Sequence, residues 1–304
     1  MRDRILAALI LEEAWRECQV LRRSFWISDN PHENVHSARK SIRRLRSVLA
    51  LFGRDDGGML LLSKRLQTMA YGLSSLRDAH VALELATQMA REERDGNGSA
   101  WATSINRLAE LEQALLKQVL IDDPGFELQR TEVETLCVRL RTSCTFHVRA
   151  SQIRQALEYS EHRLDRARHA AHRRPEAGSI HRWRRKARRF KMQLQTVARL
   201  NETAQVSLAV HSRKSHRNEL GHVVDALGYI QDVYLLRALL EEHVPQEICA
   251  ALILATDHAL TRSAYETGYF SSPICLGTKA RKEPLRPVVK AVSALSIDRT
   301  PSPA

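Results

Sequence analysis

Residues 36–52 read HSARKSIRRLRSVLALF, and residues 181–197 read HRWRRKARRFKMQLQTV. Both stretches open on His. Both then place basic residues at the fourth, fifth, eighth, ninth and eleventh positions. Between His36 and Arg46 there are five Arg or Lys and no acid, and between His181 and Lys191 there are seven and no acid. Wound at 3.6 residues per turn, the first stretch with its preceding residue puts Val35, Ala38, Ile42, Leu45, Leu49 and Phe52 on one stripe. The 3-4-3-4-3 spacing is that of a helix packed into a bundle core. Ile180, Trp183, Ala187, Phe190, Leu194 and Val197 repeat the stripe in the second stretch. His36, Lys40 and Arg43 fall on the opposite face of the first helix, flanked by Arg39, Arg46 and Arg44. His181, Arg185 and Arg188, flanked by Arg184, Lys191 and Arg189, do the same in the second.

The rest of the chain has the same helical period. Strand-like alternation is nearly absent, and the 12 Gly and 9 Pro gather where helices should end. Breaks at 28–33, 53–58, 94–99, 122–125, 173–179 and 243–247, with a softer one at 199–205, leave eight helical segments. These are about 2–28, 32–53, 58–94, 99–121, 127–173, 178–199, 204–243 and 246–268. Gly72 and Gly228 mark places where long segments can bend or break. The two basic helices are each second in a set of four, and each follows a proline, Pro31 or Pro175. The chain is therefore read as an all-α internal duplication, with 145 residues from His36 to His181. The repeats run about 1–122 and 126–270 within one domain, 1–270. Residues 271–304, rich in Ser and Pro, are expected to form a poorly ordered tail.

A chain of 304 residues, 43% hydrophobic, has ample apolar material for a core. Lys and Arg number 47 against 35 Asp and Glu, a formal charge of +12 that favours a polyanionic partner. The five Cys form no CxxC pair, and Cys137 and Cys144, seven apart, read as small buried residues on one helix face. The apolar run near the N-terminus ends at Glu12 and Glu13 without a cleavage site, and no stretch approaches the roughly twenty apolar residues of a membrane span. A cytoplasmic protein with no membrane partner is expected.

A solvated helix face ordinarily interleaves acids, because like charges at i, i+4 repel. Two acid-free faces at the same rows point instead to a bound anion. For His36 and His181 a metal role is disfavoured by the neighbouring cations and the lack of a second ligand at i+3 or i+4. A catalytic role lacks a paired nucleophile. The remaining reading is a hydrogen-bond donor to phosphate or to a helix end, strengthened as His charges below about pH 6.5. No catalytic residue, metal site or cofactor is expected. Arg22, Lys64, Arg166 and Lys214, on flanking segments, are candidate secondary contacts. Asp78, in LSSLRD (73–78), and Asp232, in LGYIQD (227–232), either pair locally or orient a basic side chain toward the anion.

These residues resemble the conserved histidine α-helical domain, or CHAD, family. Its pattern of His-x-x-Arg with further basics, then Leu-Gly-x-x-x-Asp, occurs twice. Here it reads VHSARKSIRRLR with LSSLRD, then IHRWRRKARRFK with LGYIQD, and Ser74 departs from the pattern where the second copy has Gly228. The resemblance covers roughly residues 1–270. It implies two four-helix bundles related by a pseudo-twofold axis around a basic central channel. It also implies inorganic polyphosphate as ligand, held by His36, Arg39, Lys40, Arg43, Arg46, His181, Arg184, Arg185, Arg188 and Lys191, and association with polyphosphate granules. The sequence lacks the ExExK-like motif of a fused triphosphate-tunnel domain, so a binding module without a hydrolase is expected. A nucleic-acid-binding protein is the alternative. Aromatic residues are only 5%, and Trp183 and Phe190 sit on the apolar stripe, which disfavours base stacking. A phosphohydrolase would need clustered carboxylates for Mg²⁺, which the basic helices lack.

Overall fold

The computed structural model describes residues 2–25, 30–52, 57–92, 96–142, 148–204 and 214–267. The side chains of 2–3, 204, 214–216 and 264–267 lie outside that description, as does the whole of 271–304, where the tail was expected. All regular structure among the described residues is helical. The helices are α1 (Arg2–Ser24), α2 (Pro31–Leu49), α3 (Gly57–Gly72), α4 (Ser74–Glu92), α5 (Gly98–Asp122), α6 (Glu127–Thr142), α7 (Ala150–Arg173), α8 (Ala177–Ala204), α9 (Lys214–His243) and α10 (Gln246–Thr267). Short 3₁₀ turns follow α2, at Ala50–Phe52, and α5, at Pro124–Phe126.

Local chemistry sets the ends. Asn30 caps α2, its side chain accepting from the backbone N–H of His32 at 3.1 Å and of Glu33 at 3.4 Å. Pro31 occupies the first turn, where its missing N–H costs nothing, and Glu33 faces the positive end of the helix dipole. Asp123 ends α5 and accepts from Leu128 N at 2.7 Å and Gln129 N at 3.1 Å, so one carboxylate starts α6. All twelve residues of the two apolar stripes are buried. Burying each large side chain is worth roughly 1.5–3 kcal/mol. Like-charge repulsion on a helix surface costs only about 0.2–0.5 kcal/mol per pair. The apolar stripe can therefore hold a helix whose other face repels itself.

Two expected segments divide. The 58–94 segment breaks between α3 and α4 at Gly72, as anticipated, whereas α9 runs unbroken through Gly228. The 127–173 segment becomes α6 and α7, and residues 143–147 between them lie outside the described set. The positions one repeat on from α6, 272–287, lie outside the described residues. Helix α6 packs on α1, where the Sγ atoms of Cys18 and Cys137 are 3.2 Å apart. Cys137 is buried there as expected, and Cys144 lies outside the described residues.

Within each repeat, helices pack mainly on their sequence neighbours: α1 on α2, α2 on α3 and α4, and α4 on α5, then α7 on α8, α8 on α9 and α9 on α10. The repeats then pack on each other through α2 with α8, α4 with α9, α1 with α8 and α5 with α10. The two basic helices meet directly. Ser47 Oγ lies 3.7 Å from Met192 Sδ, and these residues are separated by the 145-residue repeat. Equivalent positions of the two copies thus face each other.

Candidate functional site: two facing basic helices

The cations of α2 and α8 divide by the partners they have. Arg44 reaches Glu17 of α1 at 3.6 Å, and Arg199 reaches Glu13 of α1 at 2.6 Å. Burial raises the Glu17 pKa, although Arg44 and Arg199 work against it. Helix α1 therefore neutralises the outer flank of the basic helices. It does not neutralise Arg43 and Arg188, which make no ion pair with a carboxylate among the described residues.

Burial is the main cause of the pKa depression at these two residues, and neighbouring cations add to it. Arg43 is lowered to about 10 by burial, then by Arg39, Arg184 and Arg77. Arg188, its equivalent 145 residues on, is lowered to about 9 by burial, then by Arg184 and Arg43, with Asp232 opposing. Both remain charged at neutral pH. Arg46 is lowered to about 10 by burial, then by Arg189 and Arg185 across the interface. The Nε atoms of Arg43, Arg184 and Arg189 are shielded from solvent and make no hydrogen bond. Such groups ordinarily find a partner, and an unmet buried donor is costly. Arg43 and Arg188 thus carry positive charge with no carboxylate in ion-pair contact among the described residues.

Arg39 and Arg184 occupy the same position in the two copies. Arg184 Nη1 donates to Asp232 Oδ1 at 3.3 Å and to Gln231 Oε1 at 3.1 Å on α9. Asp232 thus orients a basic side chain of the cluster. Burial raises its pKa, and Arg184 opposes that rise. Arg39 Nη1 donates to the carbonyl of Ala70 at 2.7 Å and to Ser74 Oγ at 3.0 Å. Ala70 lies in the last turn of α3, where carbonyls lack intrahelical donors. The break between α3 and α4 makes that carbonyl available, and Ser74 supplies a second acceptor. Ser74, where the pattern has Gly, thus gives the arginine a side-chain acceptor that Gly228 cannot give Arg184.

His36 and Lys40 are exposed on α2, as is Arg185 on α8, while His181 and Lys191 are partly covered. Burial of one side, then Arg77, Arg43 and Lys40, lowers the His36 pKa, with Glu84 opposing. Charging of His36 in the free protein therefore occurs below its ordinary range. Arg46 is turned toward α3 by Gln67 Oε1 at 2.7 Å and Ser63 Oγ at 3.3 Å.

The secondary candidates separate. Arg22 faces Glu134 of α6 at 3.6 Å, away from the cluster. Lys64 and Arg166 are exposed on α3 and α7, and the Lys214 side chain lies outside the described residues. On α7 it is Arg163 whose charge reaches α8. Burial first and Arg163 next lower Arg189, and the same causes, with Arg185, Arg189 and Arg182, bring Lys186 to about 8. Arg77 of α4 was missed from sequence. It acts on His36, Arg43 and Asp232, and pairs with Glu84 at 3.5 Å. Its signal was present, because it occupies the position of Gln231, next to the motif Asp.

No helix of the described residues is long and apolar enough to cross a membrane. A family model described as "CHAD domain" matches residues 9–241. Among solved structures, the crystal structure of the CHAD domain from the plant Ricinus communis is similar, with a TM-score of 0.59 and 21% identity. The match covers 86% of this chain and 87% of that one. At that identity the likeness establishes the shared fold. A comparison with curated proteins finds no match.

Proposed function

We propose that this chain, which belongs to the CHAD domain family, binds inorganic polyphosphate between its two basic helices and does not act on it chemically. The observation that carries the reading is the facing of Arg43 and Arg188. These are equivalent residues of a duplicated helix, both largely covered and without a carboxylate partner among the described residues. A polyanion compensates that charge from one site. The proposed contacts are His36, Arg39, Lys40, Arg43 and Arg46 of α2, with His181, Arg184, Arg185, Arg188 and Lys191 of α8. A duplicated, two-sided grip suits a thin chain of identical units, which offers both flanks the same phosphate oxygens. The proposed pseudo-twofold arrangement around the ligand gives each copy the same task. Binding to polyphosphate granules in the cytoplasm would follow.

Competition binding at one fixed, near-physiological salt concentration tests this. Both polyphosphate and nucleic acid complexes weaken with salt through counterion release, so only relative affinity discriminates. Polyphosphate should outcompete single-stranded DNA, RNA and duplex DNA matched for total charge. Duplex DNA competing equally would move the nucleic-acid reading to first place.

A further inference from the structure

A second cluster lies at the start of α2, outside the basic rows. His32 of the first turn of α2, His80 of α4 and Glu112 of α5 bring three potential ligand atoms within 4.8 Å of one another. The imidazole rings stack, with centroids 4.7 Å apart and planes 12° from parallel. Glu112 Oε1 lies 2.5 Å from His80 Nδ1 and 3.4 Å from His32 Nδ1. Glu84 Oε1 lies 3.4 Å from the other nitrogen of His80.

A buried His–Glu hydrogen bond would explain His80 and Glu112 alone. It does not explain His32. Its Nδ1 is shielded from solvent and makes no hydrogen bond, although the same carboxylate oxygen is nearby. A cation between the two imidazoles and the carboxylate gives the orphaned His32 nitrogen a partner. Both nitrogens then give a lone pair to the ion, and the carboxylate supplies charge.

We propose that His32, His80 and Glu112 bind one divalent transition-metal cation of the zinc type through the two Nδ1 atoms and the carboxylate, with Glu84 placed beside His80 Nε2 to orient that ring. Two imidazoles and a carboxylate are a donor set that Zn²⁺ accepts in tetrahedral geometry. Bonds of about 2.0–2.1 Å set tetrahedral ligand atoms about 3.4 Å apart. The His32–Glu112 separation already has that value, and the His80–Glu112 contact must open by about 1 Å, within reach of side-chain rotation. Glu84 and Glu112 offset the nearby Arg77, so the local field differs from that around His36. The ligands come from three helices of the first repeat, and the ion would tie α2, α4 and α5 together. The second repeat cannot copy the site. Counting by the 145-residue repeat, Ala177 stands at the position of His32, and aligning LGYIQD (227–232) with LSSLRD (73–78) puts Tyr234 at that of His80. The proposal therefore specifies one ion per chain, and it does not depend on polyphosphate binding.

The test is calorimetric titration of the chelator-treated full chain with Zn²⁺ in the absence of polyphosphate, paired with thermal melts. Expected are one equivalent of tightly bound Zn²⁺ and a raised melting temperature. Outer-shell partners of a metal typically cost about 10–100-fold in affinity when lost, and a direct ligand should cost at least that. His32→Ala with His80→Ala should therefore weaken binding by that factor or more, and the isosteric Glu112→Gln should weaken it with the fold kept. His36→Gln and Cys18→Ser should leave it unchanged. Bound Co²⁺ should give a tetrahedral spectrum without a thiolate charge-transfer band. The proposal is overturned if the wild-type chain shows no stoichiometric Zn²⁺ binding, or if the folded Glu112→Gln protein binds Zn²⁺ as the parent does.

Discussion

Arg184 lies against the backbone of Gly228: a Cβ on that glycine would stand 2.8 Å from Arg184 Nη2 and 3.2 Å from its Cζ. Helix α9 continues through this residue without a left-handed turn, so the glycine provides space for the guanidinium. Any larger side chain must push Arg184 away from Gln231 and Asp232. The displaced atoms belong to a flexible side chain, so the fold should survive. Gly228→Leu should leave helical circular dichroism intact and weaken polyphosphate binding several-fold. Gly228→Ser should be milder, because the equivalent Ser74 accepts a hydrogen bond from Arg39 at 3.0 Å. Equal affinity for the wild-type and Leu proteins would remove Arg184 from the binding surface.

The facing arginines predict opposite effects on stability and binding. Arg43 and Arg188 are largely covered cations whose neighbours include further arginines. Replacing buried charge with neutral side chains of similar volume is often stabilising by about 1–4 kcal/mol. Arg43→Met with Arg188→Met should therefore raise the melting temperature of the ligand-free protein, by about 2–4 °C per kcal/mol for a chain of this size. The same variant should lose most of its polyphosphate affinity. Lys40, Arg43, Arg185 and Arg188 all changed to Glu should abolish binding with helicity retained. A double Met variant that melts lower than the parent and still binds would show that these residues serve packing.

His36 should make acidification destabilise the free protein. Its folded pKa is held below the unfolded value of about 6.5. Between the two values the unfolded chain binds more protons than the native one. Stability is therefore intact above about pH 6.5 and falls as pH drops through that value toward the folded pKa. His32 and His172 are depressed in the same direction, burial being the first cause for each, so the informative quantity is the difference between wild type and His36→Gln. The variant should show a flatter melting-temperature profile on the acid side. Bound polyphosphate supplies negative charge and should reverse the trend, so that affinity rises on acidification more in wild type than in the variant. Parallel profiles, with and without ligand, would exclude a role for His36.

The sequence made α2 and α8 legible because each combines two signals: a 3-4 apolar stripe and a basic face without acids. All twelve stripe positions are buried. That the copies meet was implied only by the family resemblance, and the contact of Ser47 with Met192 places α2 against α8. What could not be read was partnership. Arg44 and Arg43 are adjacent and chemically alike, yet only Arg44 meets Glu17, because that depends on where α1 crosses. The Glu112 cluster was hidden for the same reason. Its two histidines lie 32 residues or more from Glu112 in sequence and converge only when α2, α4 and α5 pack. Helix α6 went unseen because its period merges with that of α7, and no Pro separates them.

Chain length should matter to the ligand. From His36 to Arg46 the basic row extends about 15 Å along the helix axis, and α8 presents a second row of similar length. Orthophosphate or pyrophosphate can occupy only part of such a surface. A long chain can engage Arg46 with Arg185 and Arg189 while also meeting Arg39, Arg43, Arg184 and Arg188. Once one phosphate is held, each further contact is intramolecular, and its effective concentration greatly exceeds that of free phosphate. A ligand that binds only the native state at a hundred times its dissociation constant stabilises it by about 2.7 kcal/mol. At equal total phosphate and equal ionic strength, long-chain polyphosphate should therefore raise the melting temperature by several degrees, pyrophosphate less, and orthophosphate scarcely at all. The Arg43→Met, Arg188→Met protein should lose this gradation. If orthophosphate stabilises the wild-type chain as much as the long polymer does, the cations act as separate anion sites and the two helices do not share one ligand.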